Sequence, residues 1–237
     1  KSSTAYLDSP TLTEMSVTSF TDLGVGPTIA PVQIGGAGGL LPPTADVQAG
    51  AAFWESLESM VVTLKAPTAV SPTDATYLET YVAVAGPDGA PYATGMNARG
   101  GLTVTGGAAD YGNTDVVGGD FNPEAVQLDV DAGILPGFTK PTVDTGAQFS
   151  DVTGIVSYAY GVEQVLATQA YTVTKASTLQ KETTTLAGDL GHLTVASYNV
   201  ENLAPTDTAR IAAHASEILN NLAAPDVVAL QEIQDND

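Results

Sequence analysis

The residues best suited to chemistry are two polar side chains, Asn199 and Glu232, near the ends of two predicted strands. A side-chain amide donates and accepts hydrogen bonds, and an ionised carboxylate accepts hydrogen bonds and carries a negative charge. A carboxylate just past a buried strand is usually a solvated turn residue, so its spacing alone assigns Glu232 no function. The interpretation of the pair depends on the elements that hold it.

These elements form a predicted strand–helix–strand unit at the end of the chain. Leu193–Val200 and Val227–Leu230 are short apolar runs rich in β-branched residues, which is typical of buried strands. Between them, Thr206 or Asp207 can cap a helix, and Pro225 ends it. Apolar residues recur with helical spacing on one face of that helix: Ile211, Ala212, Ala215, Ile218, Leu219 and Leu222. The pattern predicts a βαβ-like unit with an inner sheet and a helix packed outside it.

The residues of the two strands resemble a known family. Ser197–Leu203 (Ser-Tyr-Asn-Val-Glu-Asn-Leu) and Pro225–Asn236 (Pro-Asp-Val-Val-Ala-Leu-Gln-Glu-Ile-Gln-Asp-Asn) closely resemble the opening of the endonuclease/exonuclease/phosphatase superfamily, the fold of deoxyribonuclease I. The likeness is greatest to the branch found in large secreted bacterial nucleases. It spans residues 193–237 and implies the first strand–helix–strand of an α/β sandwich.

The resemblance also implies a role for each polar residue. In the family, the Asn of the first strand and the Glu of the second lie side by side at the metal and phosphate site. Carried over, Asn199 would position phosphate and Glu232 would bind Mg²⁺ or Mn²⁺. Mg²⁺ binds one or two carboxylates together with water and substrate phosphate oxygens. The family's catalytic His residues, and the Asp that orients one of them, come from later strands. We therefore expect a fragment, cut at both ends and inactive by itself.

The composition is strongly acidic, with 27 Asp and Glu residues, 7 Lys and Arg residues and a formal net charge of −20. Proteins that bind nucleic acid through its phosphates need a basic surface, so this chain has no electrostatic nucleic-acid platform. Nucleic acid is nevertheless the substrate that the resemblance implies for the intact protein. The chain has no Cys, and no run reaches the ~18 apolar residues of a membrane span. The resemblance implies an extracellular or cell-surface protein, and the absence of Cys agrees with this without fixing the compartment.

Two acidic loops are alternative cation sites: Asp110–Asp115 with Asp120, and Asp129–Asp131. Ca²⁺ binding is open for both loops, but neither has the twelve-residue pattern with a terminal Glu of an EF-hand. Gly-rich acidic loops are commonly solvated turns. His192 and His214 have no second His at metal-ligand spacing, and we expect both to be exposed.

The chain before the nuclease-like segment is predicted to be mainly β. Residues 1–45 are expected to be the end of a preceding β-domain and a Gly/Pro-rich connector. Residues 46–173 are expected to form a barrel-like β-domain. Residues 174–192, polar and rich in Thr and Lys, are expected to link it to the start of the catalytic domain at 193–237.

Strand candidates follow one another at short intervals, as in a barrel or sandwich. They are Leu12–Phe20, Thr28–Ile34 at an edge, Thr76–Val84, Gly101–Thr105, Ala125–Leu128, Ser150–Ala159 and Val162–Leu166. Phe121–Asp129 and Phe149–Gly161 resemble segments of the oligonucleotide/oligosaccharide-binding-like barrel that precedes the catalytic domain in the same nuclease branch. Gly154 is interpreted as a bulge or a close backbone approach.

Some aromatic side chains could stack on nucleic-acid bases. Trp54, the only Trp, lies in Phe53–Leu64, where a helical turn is predicted to change into a strand at Val61. We interpret it as a core residue rather than a stacking platform. Tyr158, Tyr160 and Tyr171 could offer stacking faces, or could place their rings on either side of a curved sheet with hydroxyls at the rim.

Two functions from different classes remain open. The first is a fragment of a secreted, metal-dependent nuclease or phosphodiesterase that hydrolyses nucleic-acid phosphodiester bonds. The alternative is a structural or binding component of the bacterial cell envelope, whose β-domains mediate assembly. The sequence does not distinguish DNA, RNA and other phosphoesters as substrates.

Overall fold

The computed structural model of the chain describes residues 16–104, 121–131 and 133–234. The protein is mainly β and divides into two compact units, Lys1–Leu179 and Gln180–Asp237. We call them the first and the second unit.

The first unit contains a nine-stranded sheet and one helix. In chain order its elements are β1 (Val32–Ile34), α1 (Val47–Glu55), β2 (Val61–Leu64), β3 (Thr68–Ala69), β4 (Thr80–Ala83), β5 (Val126–Asp129), β6 (Gln148–Phe149), β7 (Val152–Ala159), β8 (Val162–Ala167) and β9 (Val173–Lys175). The strand order is β1-β2-β7-β8-β5-β4-β3-β6-β9, and the sheet curls into a half-barrel. Its pairs are antiparallel except β1–β2 and β5–β8, which are parallel.

Several predicted strands form, with shifted ends. The candidate at 28–34 yields only β1, which starts directly after Pro31 and lies at an edge of the sheet, as predicted. The candidate at 76–84 yields β4 alone. Its first residues instead form a turn in which the Asp74 carboxylate accepts the backbone N–H groups of Thr76 and Tyr77 at 2.9 and 2.6 Å. A short polar side chain that bonds to nearby backbone N–H groups competes with strand formation.

Two other strand candidates extend outside the described residues. The candidate Leu12–Phe20 has residues 12–15 outside the described residues, and the candidate Gly101–Thr105 has Thr105 outside them. The acidic loop from Asp110 to Asp120 also lies outside the described residues. The described part of the first candidate, residues 16–20, contains no strand. In the second, Leu102 forms only an isolated bridge with Met96.

Strands β7 and β8 form a two-residue hairpin. Its turn residues, Tyr160 and Gly161, both have positive φ angles, 54° and 90°, as a type I′ turn requires. Gly154 lies in β7, where an added Cβ would be 2.5 Å from the backbone oxygen of Leu166 in β8. The pairing runs through Gly154 without a register shift. The prediction of a close backbone approach is therefore confirmed, whereas a bulge is not formed.

The core of the first unit confirms the interpretation of Trp54. Helix α1 begins after Asp46, whose carboxylate accepts the backbone N–H groups of Gln48 and Ala49. Near its end, Trp54 is 2% exposed and donates its ring N–H to the carbonyl oxygen of Pro123 at 3.2 Å. A buried Trp commonly finds such a partner, because an unpaired N–H in the core is costly. Trp54 is thus a core residue.

The three tyrosines do not share a face. Tyr171 is buried in the core, where its ring meets Phe149 edge-on with centroids 5.6 Å apart. Burial raises the pKa of Tyr171 to about 12. Tyr160, in contrast, is fully exposed at the tip of the β7–β8 hairpin. The prediction of a common stacking surface or rim is wrong for Tyr171, because its apolar ring is used in packing.

The second unit is a βαβ unit. It consists of β10 (Val195–Leu203), α2 (Thr208–Asn220) and β11 (Val227–Ile233), and the two strands pair in parallel as predicted. Their predicted burial is wrong. Among the described residues of this unit only Val200 is fully buried, while Val195 and Val227 are 71% and 48% exposed. In the part of this unit that the structure describes, a single helix is available to cover the two strands, which leaves most of their side chains open.

Helix α2 packs a polar side onto β10. Tyr198 of β10 shares its hydroxyl with His214 Nδ1, at 2.8 Å, and with the Glu217 carboxylate. The predicted apolar face instead leaves Ile211 and Leu219 41% and 62% exposed. The prediction that His214 is exposed is wrong. Its ring hydrogen-bonds to the Tyr198 hydroxyl of β10, and its side chain is only 21% exposed. His192, with a side chain that is 80% exposed, confirms its prediction.

The stretch predicted as a linker, 174–192, has contacts of its own. Its first two residues belong to β9, which pairs with β6 in the first unit. In the second unit, Asn221 at the end of α2 donates its side-chain N–H to the Glu182 carbonyl and accepts the Thr184 N–H on its own carbonyl, at 2.9 and 2.8 Å.

As far as the described residues go, neither helix is long and apolar enough to cross a membrane.

Candidate functional site

The structure brings Asn199 and Glu232 together. They lie on the neighbouring strands β10 and β11, and the Asn199 side-chain N–H donates to Glu232 Oε1 at 2.7 Å. Glu232 is exposed and lies inside β11, one residue before its end, rather than past the strand. The two residues named by the sequence are thus one hydrogen-bonded pair.

A bulge in β10 lies opposite Glu232. Asn199 pairs with Gln231, and the next pair is Leu203 with Ile233, so β10 advances four residues while β11 advances two. Glu232 is the residue of β11 between those two pairs. The bulge makes room for the Glu232 side chain to turn toward Asn199.

The backbone around the pair is in the left-handed region. In the bulge, φ is 51° at Glu201 and 54° at Asn202, and opposite it φ is 62° at Glu232. For residues other than Gly this conformation costs ~1–2 kcal/mol each, and such outliers concentrate where a fold serves a site. Glu201 and Glu232 are the more unusual of the three, because Asn adopts this region readily. In the described part of the second unit, Ala223 and Ala224 after α2 are left-handed as well.

Side-chain hydrogen bonds stabilise the bulge. Asn199 Oδ1 accepts the backbone N–H of Glu201 at 2.7 Å, while its amide N–H donates to Glu232. Directly after β11, Gln234 donates its side-chain N–H to Asn202 Oδ1 at 2.6 Å and its backbone N–H to the Leu203 carbonyl at 2.9 Å. Both ends of the Asn199 amide are engaged, so its orientation is fixed.

Arg210 is a site residue that the sequence analysis missed. From the first turn of α2, its Nη2 donates to the carbonyl oxygens of Val200 at 2.8 Å and Glu201 at 2.6 Å. Its Nη1 donates to Asp207 Oδ2 at 3.2 Å. Of the two predicted cap residues, Thr206 and Asp207, it is Asp207 that directly precedes α2. Its carboxylate makes no capping hydrogen bond to the helix, and instead accepts the Ala204 N–H and binds Arg210. The available signal was the Asp–Arg spacing of three residues at a helix start, where an ion pair forms easily.

A second polar network joins α2 to the other face of β10. The Glu217 carboxylate contacts Lys181 and Tyr198, and these hydrogen bonds lower the pKa of Glu217 to about 2. Loss of solvation, followed by the hydrogen bond to Glu217, raises the pKa of Tyr198 to about 12. Around neutral pH, Glu217 is therefore ionised and Tyr198 is neutral. The network attaches the helix to the strand that carries Asn199.

The donor groups of the pair fit Mg²⁺ or Mn²⁺ as an implied cofactor. Glu232 offers carboxylate oxygen, the hard ligand that these ions prefer. Within the described ranges, no three His, Cys, Asp or Glu side chains cluster as a metal site. Mg²⁺ is commonly held by one or two carboxylates, with water and substrate phosphate completing its shell, so one carboxylate is compatible with it.

The described acidic loop, Asp129–Asp131, is partly neutralised. Lys140 Nζ lies 2.5 Å from Asp129 Oδ1, and both side chains are mostly buried, at 15% and 13% exposure. Lys140 also donates to the carbonyl of Tyr77 at 2.9 Å. A lysine thus occupies the position beside Asp129 that a cation would take.

Comparison with known proteins identifies the first unit. Residues 37–178 match the family model described as a domain of unknown function (DUF8508). The chain belongs to the DUF8508 family. The DUF8508 match covers α1 and strands β2 to β9, so it contains most of the first unit, while Asn199 and Glu232 lie beyond it. No curated protein and no solved structure matches the chain.

Proposed function

We propose that the second unit is the opening part of a metal-dependent phosphodiesterase domain, in which Glu232 binds Mg²⁺ or Mn²⁺ and Asn199 positions phosphate. The observation that carries the proposal is the 2.7 Å hydrogen bond between these two side chains. The sequence around both residues resembles the endonuclease/exonuclease/phosphatase superfamily, which points to the same two side chains independently of their contact. The left-handed residues beside them support a site rather than an ordinary strand end.

Each side chain has a definable task. The amide of Asn199 carries two N–H groups, one of which holds Glu232 Oε1 in place. The second can donate to a phosphate oxygen, so one amide can align carboxylate and phosphate with each other. Mg²⁺ bound at Glu232 would supply positive charge that polarises a phosphoryl oxygen and stabilises the negative charge of the transition state.

The same proposal extends to the fold of each unit. Parallel strands joined by a crossover helix are the repeating piece of an α/β sandwich, and β10, α2 and β11 have this connection. For the first unit we propose an oligonucleotide/oligosaccharide-binding-like barrel, supported by its curled half-barrel sheet.

The resemblance further suggests the setting of the intact protein. We propose a secreted or cell-surface bacterial nuclease that acts on nucleic-acid phosphodiesters. The net charge of −20 argues that nucleic acid is held by parts other than this chain, since phosphate repels an acidic surface.

Mn²⁺ binding by the 237-residue chain tests the proposal. Calorimetric titration should show affinity that Glu232→Gln lowers by about tenfold, because Gln keeps the shape of the side chain and loses the charge. The matched control is Glu55→Gln, which removes the same charge from an exposed side chain at the end of α1 in the first unit. Equal affinity of wild type and Glu232→Gln would contradict the metal assignment. That result would favour the structural or binding component of the cell envelope.

A further inference from the structure

The shape of the site depends on a bulge that is unfavourable by itself. Glu201 and Asn202 both have a left-handed backbone conformation. Between the two flanking pairs, β10 contains two more residues than β11, and this interrupts the pairing of the strands. Without compensation, β10 would relax toward a regular strand, because a regular ladder has no such strain. Asn199 would then no longer be fixed by the Glu201 N–H, and its contact with Glu232 would loosen.

Arg210 supplies the compensation. Its guanidinium donates to two successive carbonyl oxygens, those of Val200 and Glu201, which a regular strand would direct to opposite sides. The two carbonyls converge on one cation only in the bulged conformation. One guanidinium nitrogen, Nη2, carries two N–H groups and donates to both oxygens, while Nη1 binds Asp207. Such charge-assisted bonds are stronger than neutral ones.

The guanidinium is itself held in place. Asp207 Oδ2 accepts from Arg210 Nη1 at 3.2 Å and from the Ala204 N–H at 3.2 Å. The carboxylate therefore connects the start of α2, the loop before it and the arginine. The hydrogen bonds of Arg210 go to two backbone carbonyls of the bulge and to Asp207, so Arg210 acts through the bulge.

We propose that Arg210 is a positioning residue, which holds Glu201 and Asn202 in the left-handed conformation and thereby orients Asn199 against Glu232. The consequence for metal binding rests on the proposed function, whereas the consequence for the bulge does not. The two can therefore be tested separately in the same chain.

The bulge is tested by amide hydrogen exchange at Glu201, whose N–H is donated to Asn199 Oδ1. In Arg210→Lys this amide should exchange at least about tenfold faster, because Lys has no second nitrogen with which to bind Asp207 while its ammonium contacts the two carbonyls. The amides of Val195–Tyr198 serve as an internal reference and should change less. Arg210→Ala should have the larger effect, and Arg210→Lys preserves the charge if the Ala variant does not fold.

Ser216→Gly is the matched control for helix stability. Ser216 lies in the middle of α2, six residues after Arg210, and Gly there weakens the helix because Gly loses more conformational freedom on folding. A merely structural role of Arg210 predicts that Ser216→Gly accelerates exchange at Glu201 as much as Arg210→Lys does, and this result would overturn the proposal. Unchanged exchange at Glu201 in Arg210→Lys would overturn it as well.

Mn²⁺ titration of the same variants separates the two proposals. If Glu232→Gln weakens Mn²⁺ binding and Arg210→Lys weakens it by at least about fivefold, both proposals are supported, since groups behind a metal ligand commonly contribute that much. If Glu232→Gln weakens binding and Arg210→Lys does not, the positioning role fails while the proposed function stands. If Glu232→Gln has no effect, the proposed function fails and exchange at Glu201 alone decides the role of Arg210.

Discussion

The carboxylate of Glu163 lies among other negative charges. It is in β8, and one of its oxygens, Oε1, is buried without a hydrogen-bond partner among the described residues. Burial, together with the negative charges of Glu55 and Glu58, raises the pKa of Glu163 to about 7. The folded protein therefore binds a proton here at pH values where the unfolded chain, with a Glu pKa of about 4.5, has released it.

This difference in pKa predicts a pH-dependent stability. Between pH 4.5 and about 7 the folded state holds more protons at Glu163, so the free energy of unfolding should fall as pH rises through this window. Glu163→Gln should remove much of the slope and stabilise the chain at pH 8 by about 1 kcal/mol, an amount reduced for solvent screening.

Urea unfolding followed by circular dichroism at pH 5 and pH 8 measures the effect. Glu55→Gln serves as a comparison, because it removes one of the two neighbouring charges and should give a smaller change in the same direction. A wild-type slope retained in Glu163→Gln would contradict the account of this carboxylate.

Among the secondary-structure elements, the β7–β8 hairpin depends on Gly154. A methyl group there would meet the Leu166 carbonyl oxygen at 2.5 Å, and backbone of the paired strand cannot move aside as a side chain can. Gly154→Ala should therefore destabilise the first unit by roughly 2 kcal/mol or more, as overpacking typically does. Gly26→Ala is the control, since an added Cβ there meets no atom within 4 Å. Equal urea midpoints for the two variants would show that β7 and β8 accommodate the methyl group without loss of stability, which contradicts this prediction.

The strands of the second unit should be less stable than those of the first. Val200 is the single fully buried residue among its described residues, whereas β7 and β8 contribute Val152, Val156 and Val165 to a continuous core. Burying one such side chain contributes only ~1.5–3 kcal/mol, which does not offset the ordering of a whole unit. Hydrogen exchange should therefore be faster in Val195–Tyr198 and Val227–Leu230 than in Val152–Ala159. Equal protection of β10, β11 and β7 in a demonstrated monomer would refute this ranking.

Local sequence patterns predicted the elements whose signals lie within a few residues. The crossover helix between β10 and β11, the strand that starts at Val61 and the strands of the β7–β8 hairpin follow from local sequence patterns. Helix α1, in contrast, starts at Val47, six residues before the predicted helical turn at Phe53. Strands β3 and β6 were missed, because each has two residues and is defined by its partners rather than by its own pattern. Their pairing is a long-range property that no short window contains.

The candidate site was predictable in its residues but not in its geometry. Resemblance selected Asn199 and Glu232, and the structure places them 2.7 Å apart. The left-handed backbone and the role of Arg210 were not predictable, since neither Glu nor Arg signals such a conformation. The packed side of α2 was also mispredicted, because the apolar stripe suggested one face whereas Tyr198 bonds to His214 on another.

The charge of the whole chain affects how much divalent metal it binds. A net charge of −20 concentrates divalent cations near the surface without any specific site. This diffuse accumulation is screened by salt, whereas ions bound directly to a carboxylate resist screening more strongly. A test of the site must therefore locate the ion as well as detect it.

The central claim is that Glu232 and Asn199 form a metal site, and paramagnetic broadening by Mn²⁺ tests it most directly. With the full chain in 0.15 M salt, the nuclear resonances of Asn199, Glu232 and their neighbours in β10 and β11 should broaden at lower Mn²⁺ concentrations than those around other carboxylates. Glu232→Gln should abolish that preference while leaving the spectrum of the first unit unchanged. Broadening that begins elsewhere, or that is equal in wild type and Glu232→Gln, would contradict the claim.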